Sequence, residues 1–178
     1  ERFTENGILT RSGELLEADI IVTATGFNLS VMGDIAFDVD GSSVDFSQHY
    51  TWRGIMSEGL PNTAAMFGYL RTSWTMRVDL VCDLVCRLLN HMDELGATVC
   101  TPTLRDHEKN MSRRPWIEES EFNPGYLKRS VHLLPKQGDH EPWEFNGDYY
   151  EERELLPAVD LDDGSLLFSG RNEVRKAG

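Results

Sequence analysis

Short apolar pieces separated by turn residues open the chain. Glu5-Asn6-Gly7 and Arg11-Ser12-Gly13 flank Ile8-Leu9-Thr10, so residues 3–17 are expected to fold as a small antiparallel meander. It feeds Asp19-Ile20-Ile21-Val22-Thr23-Ala24-Thr25-Gly26, a β-branched run apolar on both faces, which is the pattern of a buried central strand in an α/β sheet. Segments 35–39 and 44–46 then alternate around Asp40-Gly41, the strongest short hairpin signal in the sequence. After a turn at Gly59-Leu60-Pro61-Asn62, residues 63–69 read as a second buried strand ending at glycine.

The longest helix is expected from about Trp74 to Asp93. Ser73 or Thr72 can serve as its N-cap, Asp79 sits near its positive end, and Gly96 stops it. Val78, Val81, Val85, Leu88 and Met92 recur at steps of three and four, which commits one face to a core. Past Thr101 the texture changes. Charge, Pro and Gly dominate, and a stretch such as Glu118-Glu119-Ser120-Glu121 cannot be buried without partners. This part is expected to be an irregular arm with a few short helices. The order of elements gives an α/β class.

A net charge of −13 over 178 residues, spread along the chain, argues against nucleic acid or an anionic membrane surface as partner. No apolar run approaches the roughly 18 uncharged residues of a spanning helix, and no basic-then-apolar leader opens the sequence. Cys82, Cys86 and Cys100 form no even framework and suit a reducing compartment. The reading is a soluble, cytoplasmic protein. Asn28-Leu29-Ser30 and Asn110-Met111-Ser112 match the glycosylation pattern but carry no weight without a secretion signal. The chain starts at Glu1 and runs straight into strand-like sequence, so the expectation is a portion of a longer protein.

Strand, glycine, helix over residues 63–80 is the geometry of a dinucleotide fold, in which the unpaired N–H groups of the first helical turn suit an anionic or electron-rich group. An ordinary βα unit without ligand has the same spacing, and no G-x-G-x-x-G occurs in the chain. Cys82 and Cys86 share a helix face, but His91 lies round the helix from them and no fourth ligand is evident, so no metal site is expected there. His49, His91, His107, His132 and His140 have no Ser or Cys nucleophile set beside them in recognisable order.

Several blocks resemble a family. Ala24-Thr25-Gly26-Phe27 at a strand end, Gly59-Leu60-Pro61-Asn62, Gly68-Tyr69, and Ser73-Trp74-Thr75 opening a long helix are similar to the C-terminal half of class B flavoprotein monooxygenases. The likeness is to the Baeyer–Villiger branch that includes ethionamide-activating enzymes. Pro124-Gly125-Tyr126, Arg129-Ser130, Leu134-Pro135-Lys136-Gln137-Gly138 and Pro142-Trp143 extend it, so that it covers about Gly13 to Phe168.

The resemblance implies the C-terminal part of a flavoprotein with two dinucleotide-binding, Rossmann-like domains for FAD and NADPH. Residues 1–27 would end the NADPH-binding domain, 28–97 would belong to the FAD-binding domain, and 98–178 would form the arm. Ala24, Thr25 and Gly26 would mark the crossover between domains, where backbones and cofactor converge. Gly68, Tyr69, Leu70, Thr72, Ser73 and Trp74 would contact FAD, the helix start facing the pyrimidine side of the flavin. Trp74 and Met76 would also face substrate. The implied reaction is NADPH reduction of FAD, O2 addition to a C4a-peroxyflavin, and transfer of one oxygen to a ketone or to a sulfur or nitrogen centre.

In this family the glycine-rich phosphate loops, the fingerprint with its His and Trp, and the catalytic Arg lie upstream of the Ala-Thr-Gly strand, so no catalytic residue is expected here. His140 and Trp143 are not that fingerprint, because no Phe-x-Gly precedes them. The chain alone is then an incomplete enzyme whose partners are the missing N-terminal part, O2 and a small-molecule substrate. Two other readings remain: a related N- or S-oxygenase or reductase, and a truncated, non-catalytic binding module.

Overall fold

The computed structural model describes residues 1–118, 120 and 124–170. The meander forms as the turn residues dictate. Strands β1 (Arg2–Thr4), β2 (Gly7–Leu9) and β3 (Leu15–Glu17) make an antiparallel sheet, with Ile8 opposite both Phe3 and Leu16. Strands β4 (Asp38–Val39) and β5 (Ser42–Ser43) close on Asp40 at φ 52° and Gly41 at φ 81°, the pair of left-handed residues that a tight hairpin requires. A further hairpin, β6 (Thr51–Trp52) and β7 (Met56–Ser57), is buried throughout.

The expected central strand over residues 19–26 does not form. Ile20 and Val22 are 82% and 83% exposed, and the sheet of β1–β3 ends at Glu17. A strand exists only when an edge accepts its N–H and C=O groups, and residues 19–26 belong to no ladder. The second expected strand, residues 63–69, is also corrected. It keeps a single bridge, Ala64 to Met56, with the Ala65 N–H donating to the Ile55 carbonyl at 2.7 Å, and is otherwise an irregular stretch pinned by its side chains. The class is mixed α/β, with short antiparallel sheets and one isolated parallel bridge, Tyr50 to Lys136.

Helix α1 (Trp74–Leu95) is 22 residues long and stops at Gly96 in the left-handed conformation, φ 65°, the usual C-cap geometry. Its buried stripe is Arg77, Val81, Leu84, Leu88 and Met92. The stripe is rotated from the expected one: Val78 and Val85 are only half-buried, and Arg77 and Leu84 take the inner positions. Strand β8 (Val99–Pro102) follows directly.

The remaining elements are short: β9 (Arg114–Pro115), α2 (Gly125–Ser130), β10 (Lys136–Gln137), α3 (Tyr149–Leu155) and β11 (Leu166–Ser169). Helix α3 and the turn after it pack against α1. Strand β11 pairs antiparallel with β8, with Phe168 opposite Cys100. The Arg87 guanidinium of α1 donates to the carbonyls of Leu156 and Val159, both at 2.9 Å, and so caps the turn after α3. One apolar cluster therefore joins Trp52, Ile55, Val81, Leu88, Cys100, Trp143, Leu156 and Leu166. Full burial of a side chain such as Val81 contributes about 1.5–3 kcal/mol. Of the acidic run at 118–121, Glu119 and Glu121 lie outside the described residues, as do residues 171–178.

The Val78–Met92 face thus finds its cover within the chain. Large apolar side chains are exposed on the first 35 residues, among them Phe3, Leu16, Ile20, Val22, Phe27 and Ile35, and elsewhere at Leu89, Leu95, Tyr150 and Leu167. Exposed apolar surface of this kind favours association. The double change Ile20→Lys with Val22→Asp is expected to raise the monomer fraction in sedimentation velocity and leave the unfolding midpoint nearly unchanged. Val81→Asp, which buries a charge, is expected to cost about 3–5 kcal/mol in a urea titration.

Candidate cofactor-facing site at the start of the long helix

Arg77, on the first turns of α1, has a fully buried side chain. Its Nε and Nη2 donate to the two carboxylate oxygens of Glu152 in α3 at 2.9 and 3.0 Å, a bidentate pair. Two further donors reach the Phe67 carbonyl from Nη1 and the Arg53 carbonyl from Nη2, each at 2.9 Å. The Tyr69 hydroxyl donates to the same carboxylate at 2.7 Å. Burial first, and then its bond to Glu152, push the Tyr69 phenol well above the usual tyrosine range. The ring of Phe145 lies 4.9 Å from the guanidinium carbon. Four separate pieces of chain are clamped to one cation.

This clamp fixes the segment that leads into α1. Gly68 is buried, and a Cβ placed there would meet the Trp74 ring at 2.4 Å, so only glycine lets the chain pass under that indole. The Phe67 ring packs edge-on against both Trp74 and Trp116, at 4.7 and 4.5 Å between centroids. Residues Arg71 to Thr75 are all exposed.

At the helix start itself, Ser73 occupies the cap position in an extended conformation, but its side chain caps no amide. Its hydroxyl instead meets that of Thr75 at 3.0 Å. No acidic residue falls in the first turn. A long helix thus presents its positive end, with neither side-chain cap nor carboxylate, at an exposed position. That end can take an electron-rich group, which is what the ring edge of a flavin offers, so the residues present fit such a cofactor.

The sequence-expected site residues divide by place. Leu70, Thr72 and Met76 come together in one cleft of about 620 Å3, opposite Arg114, Phe145 and Tyr149. Ser73 and Trp74 stand exposed beside it, Trp74 at 47%. Gly68 lies under Trp74, and the Tyr69 side chain turns inward to Glu152. Ala24, Thr25 and Gly26 do not line the cleft and are exposed. Gly26 has φ 91°, a conformation that favours glycine, yet no atom lies within 4 Å of where its Cβ would be. The next residue, Phe27, packs edge-on against Tyr126 of α2 at 5.6 Å.

Sequence reasoning missed Arg77 and Glu152. The signal was available: Arg77 continues the spacing of Val81, Leu84 and Leu88 toward the helix start, and a charge on an apolar stripe calls for a buried partner. Nothing local marks Glu152 as that partner.

No family model matches the chain, and no solved structure matches it. Curated relatives do. The chain is 42% identical over 171 residues, 96% of its length, to FAD-containing monooxygenase EthA of Mycobacterium tuberculosis, covering 34% of that protein. It is 38% identical over 169 residues to EthA of Mycolicibacterium smegmatis, covering 94% of this chain and 33% of the relative. It is 36% identical over 177 residues to a protein of Acinetobacter named "Probable FAD-binding monooxygenase AlmA", covering 97% of this chain and 34% of the relative. The chain is similar along nearly its whole length to proteins named FAD-containing or FAD-binding monooxygenases, and it spans about a third of the length of the curated relatives it matches. No helix among the described residues is long and apolar enough to cross a membrane.

Glu152→Ala is expected to cost about 3–5 kcal/mol in chemical denaturation, because it leaves the Arg77 charge buried and unpaired. Arg77→Met combined with Glu152→Leu is expected to cost clearly less than the sum of the single changes, a non-additivity that a double-mutant cycle reads directly. Thiol chemistry provides a second check on the core. Burial pushes the Cys100 thiol up to about 11, while Cys82 and Cys86 are exposed. At pH 8 a disulfide-exchange reagent should therefore titrate two thiols quickly, and Cys100 only after unfolding.

Proposed function

We propose that this chain is the C-terminal third of a monooxygenase that uses FAD and NADPH to insert one oxygen atom of O2 into a ketone, or into a soft sulfur or nitrogen centre. The observation that carries the reading is the uncapped, carboxylate-free start of α1, in a chain whose relatives are named as FAD-containing monooxygenases. On this reading residues 1–27 return from the NADPH-binding domain, with Ala24, Thr25 and Gly26 at the crossover. Residues 28–97 complete the FAD-binding domain, and 98–178 form the arm. The open space around Gly26 leaves room for a second backbone or a cofactor to approach.

Bound FAD would supply the oxygen activation, with NADPH as its reductant. The amide N–H groups at the start of α1 would donate toward the electron-rich edge of the ring and would oppose the charge that gathers there on reduction. Gly68, Leu70, Thr72, Ser73 and Trp74 would hold the ring there, and Tyr69 would contribute through its backbone, its hydroxyl being held by Glu152. Trp74 and Met76 would border the substrate. Arg77 acts on this region only by positioning residues 67–69 and the helix. A cytoplasmic setting agrees with the reduced cysteines, two of them exposed.

The intact protein carrying this chain is expected to purify yellow and to consume O2 with NADPH, converting a cyclic ketone or a thioether to its oxygenated product. Thr75→Glu, which puts a carboxylate in the first turn of α1, is expected to weaken flavin retention several-fold while leaving the fold intact by circular dichroism. Rapid NADPH-driven dye reduction with oxygenation of neither substrate would overturn the oxygenase reading in favour of a reductase. The 178-residue chain alone is expected to emerge from gel filtration without stoichiometric flavin.

A further inference from the structure

Away from the helix start, the arm brings together two histidines and a carboxylate that are far apart in sequence. His107 and Glu108 lie on a single 3₁₀ turn, Asp106–Glu108. His140 lies in a loop closed by two backbone bonds, the Gly138 N–H to the Trp143 carbonyl at 2.7 Å and the Trp143 N–H to the His140 carbonyl at 3.0 Å. A ligand atom from each of His107, Glu108 and His140 lies within 4.8 Å of the other two. The imidazole rings are nearly parallel, 21° apart. We propose that His107, Glu108 and His140 form a binding site for a first-row divalent cation of the Zn2+ type.

The outer contacts support this choice. Asp139 meets Nδ1 of His140 at 2.7 Å and is itself held by the Ser112 hydroxyl at 2.6 Å. A carboxylate on one imidazole nitrogen fixes the ring and leaves the other nitrogen as the ligand. That other nitrogen, Nε2, is 3.7 Å from Oε1 of Glu108. Glu108 is fully buried, and Arg105 orients it through its backbone N–H on Oε2 at 2.7 Å and its guanidinium on Oε1 at 2.5 Å.

The guanidinium does not exhaust Oε1, since each carboxylate oxygen has two lone-pair directions. Charge around the cluster also favours a cation. Asp106, Glu108, Asp139 and Asp163 are in contact with Arg105, Lys109, Ser112 or His140, so four carboxylates face two permanent cations. The histidines aside, the excess is two negative charges.

The ligand atoms, all within 4.8 Å of one another, would have to close to the roughly 3.3 Å that bonds of about 2.0–2.1 Å to one tetrahedral ion require, and the His107 side chain is exposed. Two imidazoles and a carboxylate select Zn2+, Co2+ or Ni2+ over Mg2+ and Ca2+. Three protein ligands leave coordination positions open to water or to an anion.

Titrating the 178-residue chain with Zn2+ by calorimetry, and with Co2+ by its visible absorption, tests the site. One saturable equivalent is expected, with Co2+ bands of a nitrogen and oxygen environment. His107→Ala and His140→Ala should each weaken binding at least tenfold, and Asp139→Asn, a surface change away from the packed core, about 10–100-fold. His91→Ala, whose imidazole pairs with Asp162, should leave it unchanged. Absence of saturable binding, or an affinity unaltered in the His107→Ala/His140→Ala double variant with native circular dichroism, would overturn the proposal.

Discussion

The buried contact between Arg77 and Glu152 is the constraint on which the remaining geometry depends. A guanidinium withdrawn from water costs several kcal/mol unless its donors find partners. Here four of its five N–H groups are taken by the Glu152 carboxylate and by the carbonyls of Phe67 and Arg53. Satisfying one cation in this way fixes three distances at once: α3 against α1, the 67–69 segment against α1, and the β6–β7 turn against both. Apolar packing alone would tolerate sliding of α3 along the stripe of Val81, Leu84 and Leu88, since hydrophobic contact has no direction. The fork of the guanidinium does have direction, so it sets the register.

This arrangement explains how an arm rich in charge and proline is held to a core. Its regular elements are short, and the longest described, α3, has seven residues. What holds the arm is a set of directed contacts at intervals: Glu152 to Arg77, the Leu156 and Val159 carbonyls to Arg87, the Ser165 hydroxyl to the Trp52 indole at 2.8 Å, and the pairing of β11 with β8. Between these points apolar residues such as Trp143 and Leu156 fill the interior. Each contact spans more than sixty residues of sequence, so none follows from a local pattern.

That separation marks what could be read from the sequence. Features set by neighbouring residues were legible: Asp40-Gly41 as a hairpin, Gly96 as the end of α1, and the small meander, because turn geometry depends on the φ that the residues permit. The resemblance gives Leu70 and Thr72 to FAD and Met76 to substrate, and these three side chains line one cleft. Features set by distant partners were not legible. The run over residues 19–26 has every local property of a strand and still makes no ladder, because pairing belongs to two edges rather than one. The face of α1 was misjudged by about one position, since two valines at favourable spacing outweighed an arginine whose partner, Glu152, lies 75 residues away.

The same physics accounts for the division of labour between Arg77 and the first turn of α1. A positive helix end is useful to a ligand only if nothing in the protein neutralises it, and here neither Ser73 nor a first-turn carboxylate does so. Leaving those donors uncompensated weakens the helix start, where a side-chain cap is worth about 1 kcal/mol. The clamp one turn further in supplies what the cap does not. It holds the helix start in place from inside and leaves the outer N–H groups open. A rigid support beneath an unsatisfied polar end is the arrangement that keeps a binding group ready without collapse onto its own side chains. Glu152 belongs to that support although it lies in the arm, which makes the arm part of the construction of the site.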